Sequence, residues 1–189
     1  MRKLIYYVAC TVDGFIAREN GNFDCFLSEG EHFADIIKLF PETIPGHSRE
    51  AMGVNTPNQR FDAVLMGRKT YEVGQAFGVT SPYPQLEQYL FSKSLKESPD
   101  EAVELVSGEA VAKVRELKQL GGKDIWLCGG GEMARELFPE IDELILKINP
   151  VVIGHGIPLF RGDVEAQVEV ADIKSYDNGI RIVNYRVKH

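Results

Sequence analysis

Three segments of this chain place glycines, cations and hydroxyls directly after an apolar run, a pattern suited to phosphate. In the first, Asp124 to Cys128 reads as a buried strand, Gly129-Gly130-Gly131 follows, and a helix over Glu132 to Phe138 starts at once. The opening N–H groups of a helix have no partner within it and carry partial positive charge. Glycine lets a phosphate come close to the backbone. Cys128, Gly129, Gly130, Gly131, Glu132 and Met133 are therefore candidate cofactor-binding residues. The spacing is not G-x-G-x-x-G, so it is not the dinucleotide fingerprint of a Rossmann fold. A tight strand-to-helix turn would ask for the same glycines on geometry alone.

The second segment, Gly67-Arg68-Lys69-Thr70, closes a strand over Asp62 to Gly67 and opens a short helix. Two cations and a hydroxyl at that point make a second phosphate clamp, or else a solvated basic turn with Thr70 as its cap. The third is Phe91-Ser92-Lys93-Ser94, after a strand over Gln88 to Phe91. An NAD site usually offers a carboxylate to the adenosine ribose, whereas a 2′-phosphate favours cations and hydroxyls. No acid stands between Leu90 and Lys96, so Ser92 and Lys93 point to NADPH. Ligands of open α/β sheets sit outside the carboxyl ends of the strands. All three clusters lie at such ends.

Two side chains are candidates for the chemistry itself. Asp24, after the short apolar run Phe15-Ile16-Ala17, could orient or protonate a substrate; equally, it could be a turn residue beside Asn20-Gly21-Asn22. Lys147, between Leu146 and Ile148 in an apolar strand, would approach the substrate if it faces inward and would snorkel to solvent if it faces outward. Asp13 is read as fixing the Asp13-Gly14 turn and His155 as an exposed loop histidine. His32, His47 and His189 have no metal-ligand spacing, so no metal site is expected.

The elements that must carry these residues follow from periodicity. Lys3 to Cys10 is a nearly continuous apolar run, as in a central strand covered on both faces. Helices are predicted over Glu31 to Phe40, stopped by Pro41, and over Glu109 to Leu120, with Val111, Val114, Leu117 and Leu120 on one face. Further strands are predicted over Ala102 to Val106 and Glu143 to Ile148. Two alternating runs, Glu165 to Ile173 and Ile180 to Val187, flank Asn178-Gly179, a strong hairpin signal. Residues 41 to 60, rich in proline and glycine, form the longest irregular stretch. The sum is one α/β domain over residues 1 to 189: about eight strands in a mostly parallel sheet, an antiparallel C-terminal hairpin and flanking helices.

Composition narrows the function class. The chain has 189 residues, 44% hydrophobic and 26% charged, as in ordinary globular proteins. A net charge of −7 argues against nucleic acid and anionic membranes as partners. Three scattered cysteines, Cys10, Cys25 and Cys128, form no disulfide framework and suit a reducing cytoplasm. No segment has membrane-spanning length.

Four pieces in order then resemble the dihydrofolate reductase-like superfamily, and within it the riboflavin-biosynthesis reductase domain. They are Ala9 to Ala17 (A-C-T-V-D-G-F-I-A), Val64 to Glu72 (V-L-M-G-R-K-T-Y-E), Ile125 to Gly131 (I-W-L-C-G-G-G) and Pro150 to Phe160 (P-V-V-I-G-H-G-I-P-L-F). The resemblance implies that Ala9 and Ile16 flank the nicotinamide of NADPH. It also implies that Gly67, Arg68, Lys69 and Thr70 serve its phosphates, Ser92 and Lys93 its 2′-phosphate, and Gly129 to Met133 its pyrophosphate. Two departures stand out. Glu132 brings a carboxylate to the pyrophosphate turn, and the substrate-binding carboxylate of true dihydrofolate reductases has no secure match.

The expected activity is NADPH-dependent reduction of a small heterocycle, with the 5-amino-6-(5-phosphoribosylamino)uracil reductase step as the family's implication. Dihydrofolate reduction and a non-catalytic nucleotide-binding protein are the alternatives. The C-terminal hairpin could pair across a two-fold axis, so a homodimer is expected.

Overall fold

The computed structural model describes all residues, 1–189. Ten strands and five helices form: β1 (Leu4–Thr11), β2 (Phe15–Ala17), α1 (Glu31–Leu39), α2 (Gly46–Ala51), β3 (Phe61–Gly67), α3 (Arg68–Gln75), β4 (Glu87–Phe91), β5 (Val103–Val106), α4 (Ala110–Gln119), β6 (Asp124–Gly129), α5 (Gly131–Glu136), β7 (Ile141–Asn149), β8 (Ile157–Pro158), β9 (Gln167–Ser175) and β10 (Arg181–Lys188). Eight strands share one sheet in the order β5-β4-β3-β6-β1-β7-β10-β9. The pairs from β5 to β7 are parallel; β7–β10 and β10–β9 are antiparallel. This is the predicted mixed sheet with its hairpin edge.

The pleat of β1 shows why the sheet is buried on both faces. Successive side chains of a strand point to opposite faces. Leu4, Tyr6 and Cys10 enter one core with Val114 and Leu117 of α4 and with Met133, Ala134 and Leu137, in and just after α5. Ile5 and Tyr7 enter the other with Ile36 of α1, Tyr71 of α3 and Trp126 of β6. The near-continuous apolar runs of β1, β3 and β6 are what such strands require. No helix is long and apolar enough to cross a membrane.

Two expectations are corrected. Residues 41 to 60 are not wholly irregular: Pro41–Thr43 makes a 3-10 turn and α2 follows Pro45, whose restricted φ favours the start of a helix. Leu120 is exposed, because α4 ends at Gln119; the buried face instead includes Lys118, whose Nζ donates to the Glu140 carbonyl at 2.7 Å. The short apolar run Phe15–Ala17 pairs with β8 as a separate two-stranded ribbon.

Candidate functional site

The carboxyl ends of β4, β3, β6, β1 and β7 lie side by side in the sheet, and a cleft of about 1230 Å³ opens there. Its walls hold fifteen of the sixteen residues singled out in the sequence: Ala9, Ile16, Gly67, Arg68, Lys69, Thr70, Ser92, Lys93, Cys128, Gly129, Gly130, Gly131, Glu132, Met133 and Lys147. Asp24 is the exception. Its carboxylate accepts from Arg18 Nε at 2.8 Å on an exposed turn, and it does not line the cleft. The candidate catalytic role for Asp24 is thereby corrected: a cation six residues earlier captures it.

Two of the three clusters meet at one gap, Gly129-Gly130 against Thr70, and Ser92 and Lys93 line the same cleft. A Cβ built on Gly130 would lie 3.6 Å from Thr70 Oγ1 and 3.8 Å from Ile16 Cδ1. Gly129 has φ +143°, which favours glycine, and its Cβ would also meet Thr70 Oγ1. The Gly129–Gly130 peptide is cis. Gly131 is glycine for a different reason. Its Cβ would collide with the carbonyl of Pro158, and its own carbonyl accepts from Arg161 N at 3.0 Å. So the plain packing explanation holds for Gly131, whereas Gly129 and Gly130 leave a bare backbone rim beside Thr70.

Charged groups on this rim are cross-linked. Arg68 Nε donates to Glu72 at 2.6 Å, and Arg68 NH1 donates to Ser94 Oγ at 2.9 Å, tying the end of β3 to the end of β4. Lys93 Nζ lies 3.8 Å from Glu136. Glu132, the departure from the family pattern, is bonded to Arg161 NH1 at 2.8 Å, so its charge is neutralised at the rim. The sequence reading missed Arg161 and Glu136. Arg161 follows the Pro158-Leu159-Phe160 piece, but nothing local shows that it returns to α5.

The other end of the cleft is reached past Ala9 and Ile16. Lys147 sits beside Ala9 in the β1–β7 register and faces inward with Tyr7 and Trp126 rather than to solvent. Its Nζ donates to the Leu27 carbonyl at 2.7 Å, and burial holds its pKa below the usual lysine range. The same carbonyl lies 3.3 Å from His32 Nε2, and Leu27 N–H donates to Asn149 Oδ1 at 3.0 Å. Leu27 therefore seats the loop after β2 over the end of β7. Burial, followed by the charge of Lys147, pushes the His32 pKa down. Cys128 lines this region too, but burial raises its thiol to about 12. Asp13 accepts from Gly154 N at 2.7 Å and from Ile153 N, clamping two turns together, and His155 is exposed outside the cleft.

Comparison with known proteins agrees with this fold. The chain is 35% identical over 161 residues to the uncharacterized protein YwjB of Bacillus subtilis strain 168, covering 84% of this chain and 83% of that protein. It is 26% identical over 200 residues to YyaP of the same organism, also uncharacterized, covering 97% and 94%. Among solved structures, a candidate riboflavin biosynthesis protein of Shewanella sp. PV-4 superposes with a TM-score of 0.74 at 22% identity, covering both chains completely. The Thermotoga maritima deaminase/5-amino-6-(5-phosphoribosylamino)uracil reductase gives 0.65 at 16% identity, over 99% of this chain and 57% of that one. Enterococcus faecalis dihydrofolate reductase, solved with NADP(H), gives 0.63 at 16% identity, over 99% and 97%. Residues 2–182 match the profile described as the RibD C-terminal domain, and the chain belongs to that family.

Proposed function

We infer that this chain is an NADPH-dependent reductase of a small heterocyclic substrate. One observation carries the reading: the ends of β3, β4 and β6 bring Thr70, Ser92, Lys93 and Gly130 to one cleft, with a gap of one Cβ between Gly130 and Thr70. Structural likeness to an NADP(H)-binding reductase supports it. In this reading Gly129, Gly130 and Thr70 hold the pyrophosphate, with Arg161 nearby. Arg68, Lys69, Ser92 and Lys93 hold the 2′-phosphate end, and Ala9 and Ile16 bracket the nicotinamide.

When bound, the cofactor supplies a hydride from its nicotinamide. The protein orients the acceptor against it and excludes water. Lys147 keeps a proton at Nζ beside Ala9, positioned by the Leu27 carbonyl, and is the group that delivers it to the reduced substrate. The riboflavin-pathway step is the first substrate to test, on the strength of the family. Dihydrofolate is a weaker reading, because Asp24 is exposed and lies off the cleft, and no buried carboxylate lines the far end.

The setting is a reducing cytoplasm, which suits three free cysteines. The partner is a second copy: β9 is a nine-residue edge strand with Val168, Val170 and Ile173 exposed, and such an edge can pair about a two-fold axis. Light scattering checks this, with Val170→Lys giving a monomer; a single-chain mass for the wild type removes the dimer.

The experiment for the reductase reading is energy transfer from Trp126, the one tryptophan of the chain, to added NADPH. Saturable transfer supports the reading. No transfer and no NADPH oxidation with any pyrimidine, pterin or carbonyl substrate overturns it.

A further inference from the structure

The cleft is lopsided in charge. Arg68, Lys69, Lys93 and Arg161 all stand at the end where the glycine rim lies. The far end holds one cation, Lys147, already bonded to the Leu27 carbonyl. Its walls are aromatic. Tyr83 and Trp126 pack edge to face with centroids 4.9 Å apart, and Tyr7 lies 6.1 Å from Trp126. Phe23 and Phe26 of the loop after β2 and Phe33 of α1 belong to the same lining.

Two of the wall residues are uncovered. Phe23 is 50% exposed and Leu27 40%, although both line the concave site. Apolar surface left open inside a pocket marks a place for an apolar ligand face. A phosphate monoester, by contrast, carries a charge of about −1.5 to −2 and is held by several charge-assisted bonds, most often from arginine. No arginine reaches this end, and the chain as a whole carries −7.

We propose that the far end binds a planar, unphosphorylated aromatic ring, packed among Tyr83, Phe23 and Phe26 over a floor that includes the buried Trp126, with a ring carbonyl or nitrogen meeting Lys147. This distinguishes the chain from the Thermotoga maritima neighbour, whose named substrate carries a phosphoribosyl group. Reduction of the ring rests on the NADPH reading above; the ring's binding does not.

The test uses a matched pair, riboflavin and riboflavin 5′-phosphate, with 6-methylpterin as a smaller ring. NADP+ first fills the glycine-rim end, and quenching of ring emission on the aromatic wall reads binding. Riboflavin or the pterin binds, the 5′-phosphate binds no tighter than riboflavin, and Phe23→Ala with Phe26→Ala weakens ring binding by about tenfold. Phe23 is exposed enough for the change to leave folding intact. A 5′-phosphate that binds about tenfold more tightly overturns the proposal. So does a lack of quenching by all three rings, or a double variant that binds as the wild type does. Should the chain bind no NADP+ while the same ring preference holds without it, the reductase reading falls and this inference stands. NADP+ binding together with a phosphate preference fells this inference alone.

Discussion

Lys147 Nζ and the Leu27 carbonyl oxygen are 2.7 Å apart, so the one cation at the aromatic end of the cleft is also what seats the loop above it. Burial disfavours the charged form of Lys147 and lowers its pKa. If this ammonium delivers the proton, kcat falls as pH rises through that lowered value, on a limb lying below the ordinary lysine value of about 10.4. Lys147→Met should cost about 100-fold or more in kcat and erase that limb, with NADPH affinity kept within about twofold. Removing the neighbouring positive charge should also raise the His32 pKa, which NMR of the imidazole reads. A variant with wild-type kcat and pH profile would exclude Lys147 as the donor.

Arg68 joins the ends of β3 and β4 through Glu72 and Ser94. On the present reading it faces the 2′-phosphate, which NADH lacks. Arg68→Ala should raise the NADPH dissociation constant about tenfold, as expected for one lost charge-assisted bond, and the NADH constant by less than about threefold. Lys69→Ala should act in the same sense. An unchanged ratio of the two constants would remove both residues from cofactor selection.

How far the sequence carries the structure depends on whether a feature is local. β3 and β6 were legible because a strand buried on both faces needs an uninterrupted apolar run. The hairpin turn was legible because Asn178-Gly179 supplies the positive φ, +86° at Gly179, with Tyr176 N donating to Ile180 O across it. The β2–β8 ribbon was not: three residues pair with two that lie about 140 positions away, too few to show a period. The rim glycines were visible, but their separate reasons were not, since only the packed chain shows Pro158 against Gly131 and Thr70 with Ile16 beside Gly130. Leu27 was invisible as a site residue because its backbone makes the contacts. Asp24 misled because a carboxylate in a glycine-rich turn reads alike whether it faces a ligand or a nearby arginine.

The cysteines offer a check on the burial of the cleft. Burial raises the Cys10 thiol to about 11 and Cys128 to about 12, the latter offset in part by Tyr83. The thiolate is the reactive species, so both should be inert near pH 8 in the native protein. Cys25 is half-buried on the loop after β2. Titration with a disulfide reagent should therefore find one thiol in the folded chain and three in denaturant. Rapid labelling of Cys128 would mean that the aromatic end opens to solvent far more than its packing implies.

The wall formed by residues 41 to 60 is held from inside by Glu42. This residue is fully buried, and its carboxylate accepts from the backbone N–H groups of Gln59 at 3.0 Å, Arg60 at 2.7 Å and Phe61 at 2.6 Å. Gln85 Nε2 donates to the carbonyls of Glu42 and Ile44, and Arg49 donates to those of Pro41 and Thr56. These bonds fix Thr43, Ile44 and Pro45 where they line the cleft, so the stretch acts as a strapped wall rather than a swinging lid. Glu42→Gln turns an amide NH2 toward donors and strands at least one buried N–H, at about 1–3 kcal/mol per unsatisfied group. For a chain of this length the melting temperature should fall by about 5–10 °C. NADPH affinity should change less than about threefold, because the glycine rim lies on other elements. A melting temperature equal to that of the wild type would show that the wall stands without its carboxylate.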